Sequence, residues 1–214
     1  MNKAADDAGD GSELIFADIA RDIAATGYSI LPNALPAALL DQLSKHVQTM
    51  SGADFKKAGI GRESAQHLNQ LIRGDEICWI NGDHEAGAAW LGWLESLQVF
   101  LNRRLFLGLF SSESHYAHYG PGDFYKKHSD AFKGEANRVL SMVLYLNNEW
   151  QSEDGGELVI YTGYEAQTPL AVSPSFGTIV VFLSEDFPHE VLPTRRDRFS
   201  IATWFRASSA SAPR

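Results

Sequence analysis

The chain has 214 residues, 44% of them hydrophobic and 11% aromatic, which is enough for one full core and too apolar for a disordered chain. A net charge of −9 argues against nucleic acid or an anionic membrane as partner, and no apolar run reaches the roughly 18 residues of a membrane span. Cys78 is the only cysteine, so no internal disulfide is possible and a reducing compartment is favoured.

Residues 1–12 read as a flexible leader. Met1 to Glu13 is small, polar and acidic, without the basic and apolar stretches of a signal peptide, so a cytoplasmic location is expected. Ser12 can cap a first helix whose apolar positions Leu14, Ile15, Ile19 and Ile23 recur at helical spacing until Gly27. Tyr28–Leu31 reads as a short strand ended by Pro32, and Pro36 opens a second helix through Leu39, Leu40, Leu43 and Val47. Ser51 to Gly82 carries glycines and charges and reads as a mobile loop, with Arg73-Gly74-Asp75-Glu76 leading into a strand at Ile77–Ile80. A long third helix is predicted from His84 to Phe106, its tryptophans better suited to a core than to a binding face. Beyond Leu107 short runs alternate with turns, giving predicted strands at Glu113–Tyr119, Val139–Asn147, Glu157–Tyr161, Thr178–Leu183, His189–Leu192 and Arg198–Phe205. Helices first and strands second imply an α+β domain over residues 13–208, with helical support (13–106) packed on an antiparallel double sheet or barrel (107–206), and a tail at 209–214.

Within the strand-rich half, His128-Ser129-Asp130 places two metal-binding side chains two residues apart, on one side of an extended segment. His-x-Asp alone is a weak signal in a chain with seven histidines. Its weight comes from context: a Gly120-Pro121-Gly122 turn before it, His189 at the start of a later strand, and Arg198 nine residues further on. Two histidines and one carboxylate leave open positions on a metal, the arrangement of non-haem Fe(II) oxygenases. Parity on the last strand puts Arg198, Ser200, Ala202 and Trp204 on one face, and the apolar Phe199, Ile201 and Phe205 with Thr203 on the other. The first face sets a guanidinium beside small residues, room for a small dicarboxylate gripped by the planar fork. Tyr145 on the neighbouring predicted strand can offer the same carboxylate a second donor, although a core aromatic is an equally good reading. The remaining basic residues nearby, Lys126, Lys127, Lys133, Arg195 and Arg196, read as solvated strand ends.

With these residues in place the chain resembles a 2-oxoglutarate- and Fe(II)-dependent dioxygenase, and within that superfamily a prolyl 4-hydroxylase of the hypoxia-inducible-factor type, as a bacterial relative. The segments that carry the resemblance are Arg73–Ile80, Tyr119 through Asp130, Arg138 through Asn147, Gly155-Gly156-Glu157-Leu158, and Pro188 through Arg198 to Trp204. The resemblance implies a double-stranded β-helix (jelly-roll) core. It implies that His128, Asp130 and His189 ligate iron, with no catalytic residue beyond the metal centre, and that Arg198 and Tyr145 hold the distal carboxylate of 2-oxoglutarate. Tyr119 would contact the metal-chelating end of that co-substrate. Arg138, Trp204, Arg73 and Asp75 would face the substrate, and the Ser51–Gly82 loop would close over a polypeptide. Ala202 stands where the animal enzymes carry threonine. The implied reaction consumes O2, hydroxylates a prolyl residue of a protein and releases succinate and CO2, with ascorbate as a further cofactor. The implied partner is a substrate protein, elongation factor Tu being the one linked to bacterial relatives.

Two other readings remain open from the sequence. One is the same iron chemistry on a small molecule or another side chain, which the Arg73-Gly74-Asp75 loop disfavours. The other is a non-catalytic jelly-roll module that binds a partner without metal. Gly59-Ile60-Gly61 lacks the third glycine and the setting of a nucleotide loop. With no heptad seam or long exposed apolar strand, a monomer is expected.

Overall fold

The computed structural model describes residues 11–58, 72–131, 137–163 and 167–208. Most of the leader, the middle of the Ser51–Gly82 loop, Lys133 and the tail from 209 lie outside the described residues. Three helices form where the sequence spacing placed them: α1 at Ser12–Thr26, α2 at Ala37–Thr49 and α3 at Glu85–Leu105. Gly27 ends α1 at φ 83°, returning its N–H to the Ile23 carbonyl, a left-handed cap that suits glycine. Two expectations for α1 need correction. The cap position is Gly11, and Ser12 is the first helical residue, its buried hydroxyl accepting from Trp93 Nε1 at 3.0 Å. Leu14 is 76% exposed; the buried face is Phe16, Ile19, Ala20 and Ile23.

The strands are β1 (Tyr28–Leu31), β2 (Lys56–Lys57), β3 (Glu76–Ile80), β4 (Leu109–Tyr119), β5 (Tyr125–His128), β6 (Arg138–Tyr145), β7 (Leu158–Thr162), β8 (Thr168–Val172), β9 (Ile179–Leu183), β10 (His189–Val191) and β11 (Arg198–Ala207). They make two antiparallel sheets. The larger runs β1-β9-β6-β11-β4-β3-β2 and the smaller β5-β10-β7-β8. This is the expected α+β jelly-roll with helices to one side.

Each sheet face has its own packing. The helices bury one face of the large sheet: Phe16, Leu43, Trp90, Leu94 and Leu97 join Tyr116, Leu140, Met142, Ile201 and Phe205 in one apolar cluster. Trp90 and Trp93 stack 5.5 Å apart, so both are core residues. Trp90 Nε1 donates to Ser114 Oγ at 3.2 Å, and Ser114 Oγ lies 2.6 Å from Thr203 Oγ1. That trio explains how a threonine is accommodated on the otherwise apolar face of β11, because a buried hydroxyl needs a partner. The other face meets the small sheet through Ala117, Tyr119, Tyr145, Val180 and Phe182 against Leu158, Ile160 and Val191.

The start of β11 is fixed from the side. Asn147 accepts from the Phe199 N–H at 2.6 Å and donates to the Phe199 and Pro174 carbonyls at 3.0 and 2.8 Å. The residue before Phe199 is Arg198, so this clasp sets the depth at which the guanidinium enters the space between the sheets.

Candidate metal centre

His128 ends β5 and His189 begins β10, and the two are direct partners across that strand pair. Asp130 follows two residues after β5, in a bend rather than in the strand itself. One ligand atom from each of the three lies within 4.8 Å of the others. Nε2 of His128 is 3.7 Å from Asp130 Oδ1, and Nε2 of His189 is 3.6 Å from Asp130 Oδ2.

The same local device orients both imidazoles. Nδ1 of His128 meets the Lys126 carbonyl at 2.8 Å, and Nδ1 of His189 meets the Phe187 carbonyl at 3.0 Å. A carbonyl can only accept, so Nδ1 carries the proton and each Nε2 presents a lone pair to the centre. Tyr125 stacks on His128 with centroids 3.6 Å apart, and Phe182 meets His189 edge-on at 4.8 Å. Burial pushes the His128 pKa down to about 4, helped by the neighbouring His189. Burial opposes charge on Asp130, but the two imidazoles, with hydrogen bonding from Ser141 and Trp204, hold its carboxyl below the usual value. Ser141 Oγ donates to Asp130 Oδ2 at 2.6 Å and is itself 2.9 Å from Ser184 Oγ. Two imidazoles with Nε2 turned to the centre and an ionised, braced carboxylate are a donor set that fits a divalent transition metal.

Deeper between the sheets, Arg198 is 1% exposed. Its Nε donates to the Gly156 carbonyl at 2.8 Å and one terminal nitrogen reaches Ser200 Oγ at 3.4 Å. Among the described residues no carboxylate pairs with it. Gly156 lies so close that a Cβ there would sit 3.0 Å from Arg198 Cδ, and its φ of 70° also favours glycine. Tyr119 and Tyr145, cross-strand partners of Arg198 and Ser200, place their rings 4.9 and 5.1 Å from the guanidinium carbon. Among the described residues the buried Tyr145 hydroxyl has no hydrogen-bond partner, and burial pushes its pKa up to about 12 against the pull of Arg198. A buried cation with spare donors beside an unpartnered hydroxyl is a site for a carboxylate, since leaving either group unpaired costs about 1–3 kcal/mol or more.

Arg138 and Trp204 lie together above the metal residues. The guanidinium sits 3.8 Å over the indole, reaches toward the Asp130 carbonyl at 3.5 Å and pairs with Glu113 at 3.4 Å. Arg73 and Asp75 are placed differently from the expectation of an open substrate surface. They form a two-point ion pair at 2.5 and 2.8 Å, with the Asp75 side chain fully buried and Arg73 over the Tyr125 ring at 4.6 Å. Burial opposes the charge on Arg73, yet its pairing with Asp75 outweighs this and raises its pKa. As placed, the pair supports Tyr125 and, through it, His128. Lys127 lies over the Tyr161 ring and Arg196 pairs with Asp154, as solvated strand ends do.

Sequence reasoning missed Tyr125, Ser141, Ser184 and Gly156. Ser141 was within reach, because it shares strand parity with Tyr145. The Tyr125 stack arises from a stepped register between β5 and β10, which no sequence pattern shows.

A family model for the 2OG-Fe(II) oxygenase superfamily matches residues 114–206, which hold all the residues of this centre and the arginine pocket. Prolyl hydroxylase EGLN3 of Mus musculus is 32% identical over 190 residues, spanning 84% of this chain and 78% of the relative. The crystal structure of a Pseudomonas putida prolyl-4-hydroxylase superposes with a TM-score of 0.81 at 37% identity, over 91% of this chain and 100% of that one. A prolyl hydroxylase from Trichoplax adhaerens, in complex with a hypoxia inducible factor oxygen degradation domain peptide fragment, gives a TM-score of 0.77 at 25% identity, over 94% of each chain.

Proposed function

This chain belongs to the 2OG-Fe(II) oxygenase superfamily, an enzyme family that uses Fe(II), 2-oxoglutarate and O2, and from that premise we propose that it hydroxylates a prolyl residue of a protein substrate. The observation that carries the reading is the joint occurrence of the His128–Asp130–His189 cluster and the buried Arg198, which has no carboxylate partner among the described residues, in a chain homologous to prolyl hydroxylases. When bound, iron, 2-oxoglutarate and O2 supply the oxidation, with succinate and CO2 as co-products.

The protein contributes geometry and a dry pocket. His128, Asp130 and His189 hold the metal through Nε2, carboxylate and Nε2. Arg198 and the Tyr145 hydroxyl bind the distal carboxylate of 2-oxoglutarate, and Gly156 keeps Arg198 in line. Tyr119 lines the same pocket. Arg138 and Trp204 form the rim on which the peptide lies, and the Arg73–Asp75 pair supports Tyr125 beside the metal residues. The relatives' protein substrates favour a polypeptide over a small molecule. Elongation factor Tu, named by the resemblance, is the first candidate to test, and a cytoplasmic monomer is the form in which we expect the enzyme to act. Among the described residues no helix is long and apolar enough to cross a membrane.

The test is to incubate the enzyme with Fe(II), 2-oxoglutarate and bacterial cell protein and to map oxygen incorporation by peptide mass spectrometry. We expect a proline to gain one oxygen atom with wild type and none with Asp130→Ala. Oxygen gained only on other residues or small molecules would overturn the prolyl assignment.

A further inference from the structure

His115 is a buried titratable residue to which the proposed function gives no task. It lies on β4, four residues before Tyr119, so parity turns it to the same face of the large sheet, the face between the sheets. It is 1% exposed, and among the described residues its Nδ1 has no hydrogen-bond partner. Its ring is held between Trp79, 5.1 Å away, and Trp204, 5.2 Å away, the same indole that favours the charged form of Asp130. The residue opposite on β11 is Ala202, which brings only a methyl group and no partner for the imidazole.

Three charged groups act on the ring: Arg73, Arg138 and Asp130. All belong to the metal end of the site, and Arg198 is not among them. Burial, reinforced by the two guanidinium groups, pushes the His115 pKa down to about 3, so the ring is neutral, with one nitrogen a donor and the other an acceptor. An unpaired ring nitrogen in a buried setting costs free energy that a bound molecule can recover. The same reasoning picks out the Tyr145 hydroxyl at the other end of the pocket.

We propose that His115 is a binding residue for 2-oxoglutarate, its Nδ1 donating a hydrogen bond to an oxygen at the end of the co-substrate that approaches the metal. The inference rests on the co-substrate reading above. With it, the pocket grips the dicarboxylate at both ends, Arg198 and Tyr145 at one and His115 at the other. His115 differs from a core histidine in one measurable respect. Because its nitrogen is unpaired inside the protein alone, removing it does not weaken the ligand-free fold.

The test compares wild type, H115L, H115Q and R198M as Fe(II)-loaded, oxygen-free enzymes. 2-Oxoglutarate is titrated by the visible absorption of its iron complex, and thermal midpoints are recorded without and with the co-substrate. We expect H115L to raise the 2-oxoglutarate Kd about tenfold with a ligand-free midpoint no lower than wild type. H115Q, which keeps an N–H donor, should stay within about threefold, and R198M should lose about a hundredfold. A Kd for H115L within about twofold of wild type, beside a weakened R198M, overturns the role of His115 and leaves the co-substrate pocket standing. A normal Kd for R198M as well overturns the pocket itself. A lower ligand-free midpoint in both H115L and H115Q, with both Kd values within about twofold of wild type, shows a purely structural histidine and also overturns the proposal.

Discussion

Single side chains carry two separable tasks here, holding the metal and gripping the co-substrate, and each can be removed alone. Ser141→Ala deletes the 2.6 Å hydrogen bond that orients Asp130 while leaving all three ligands in place. Metal titration of the iron-free protein should show a 10–100-fold loss of affinity, the usual effect of removing a group that braces a ligand. Unchanged affinity would mean that Trp204 alone orients the carboxylate. Tyr145→Phe removes a hydroxyl that has no hydrogen-bond partner among the described residues. Its expected signature is a 2-oxoglutarate Kd raised about five- to tenfold with no loss of thermal stability, because a neutral hydrogen bond is worth about 1 kcal/mol. At this scale the sequence was readable wherever strand parity applied. Arg198 fell on the inner face by that rule. Parity gives the face and not the partner, however. It could not show that Arg73 and Asp75 pair with each other under Tyr125, or that His115 sits between two indoles.

Elements fix where those side chains meet, and the segment from Gly155 to Leu158 matters more than its length suggests. Gly156 is both a left-handed residue and the acceptor that lines up Arg198. Gly156→Ala should cost about 1–2 kcal/mol from backbone conformation alone and more from the contact with Arg198. Chemical denaturation would read that loss, and 2-oxoglutarate binding should weaken with it. A variant as stable as wild type would show that the turn relaxes freely. All three helices were legible from apolar spacing and their stop signals, and so were the strands with apolar or alternating faces. The three strands that escaped, β2, β5 and β8, are all sheet edges. β2 is two lysines, β5 exposes Lys126 and Lys127, and β8 carries Pro169, so none shows the burial pattern of a central strand. The pairing of β5 is set by β10, distant in sequence, and so β5, which delivers His128, left no local signal.

Over the whole molecule, the two sheets hold a cationic pocket inside a chain of net charge −9. Among the described residues no counter-ion pairs with the buried Arg198, so 2-oxoglutarate supplies the negative charge that the guanidinium lacks there. Binding must therefore stabilise the fold as a unit. With metal present and 2-oxoglutarate at about 100 times its Kd, the gain is about 2.7 kcal/mol, which for a domain of this size raises the thermal midpoint by about 5–10 °C. Differential scanning fluorimetry checks this, and no shift would count against the pocket. The α+β class and the division into helical support and strand-rich core were visible from the order of elements. The strand order was not, because neighbours such as β1 and β9 lie far apart in the chain.

The most direct measurement is a crystal structure of the protein grown with 2-oxoglutarate and Mn(II) in place of iron. The account predicts one anomalous peak bonded to Nε2 of His128, a carboxylate oxygen of Asp130 and Nε2 of His189, with the co-substrate running from it to Arg198. A metal bound elsewhere, or any one of those three side chains turned out of bonding distance, would contradict it.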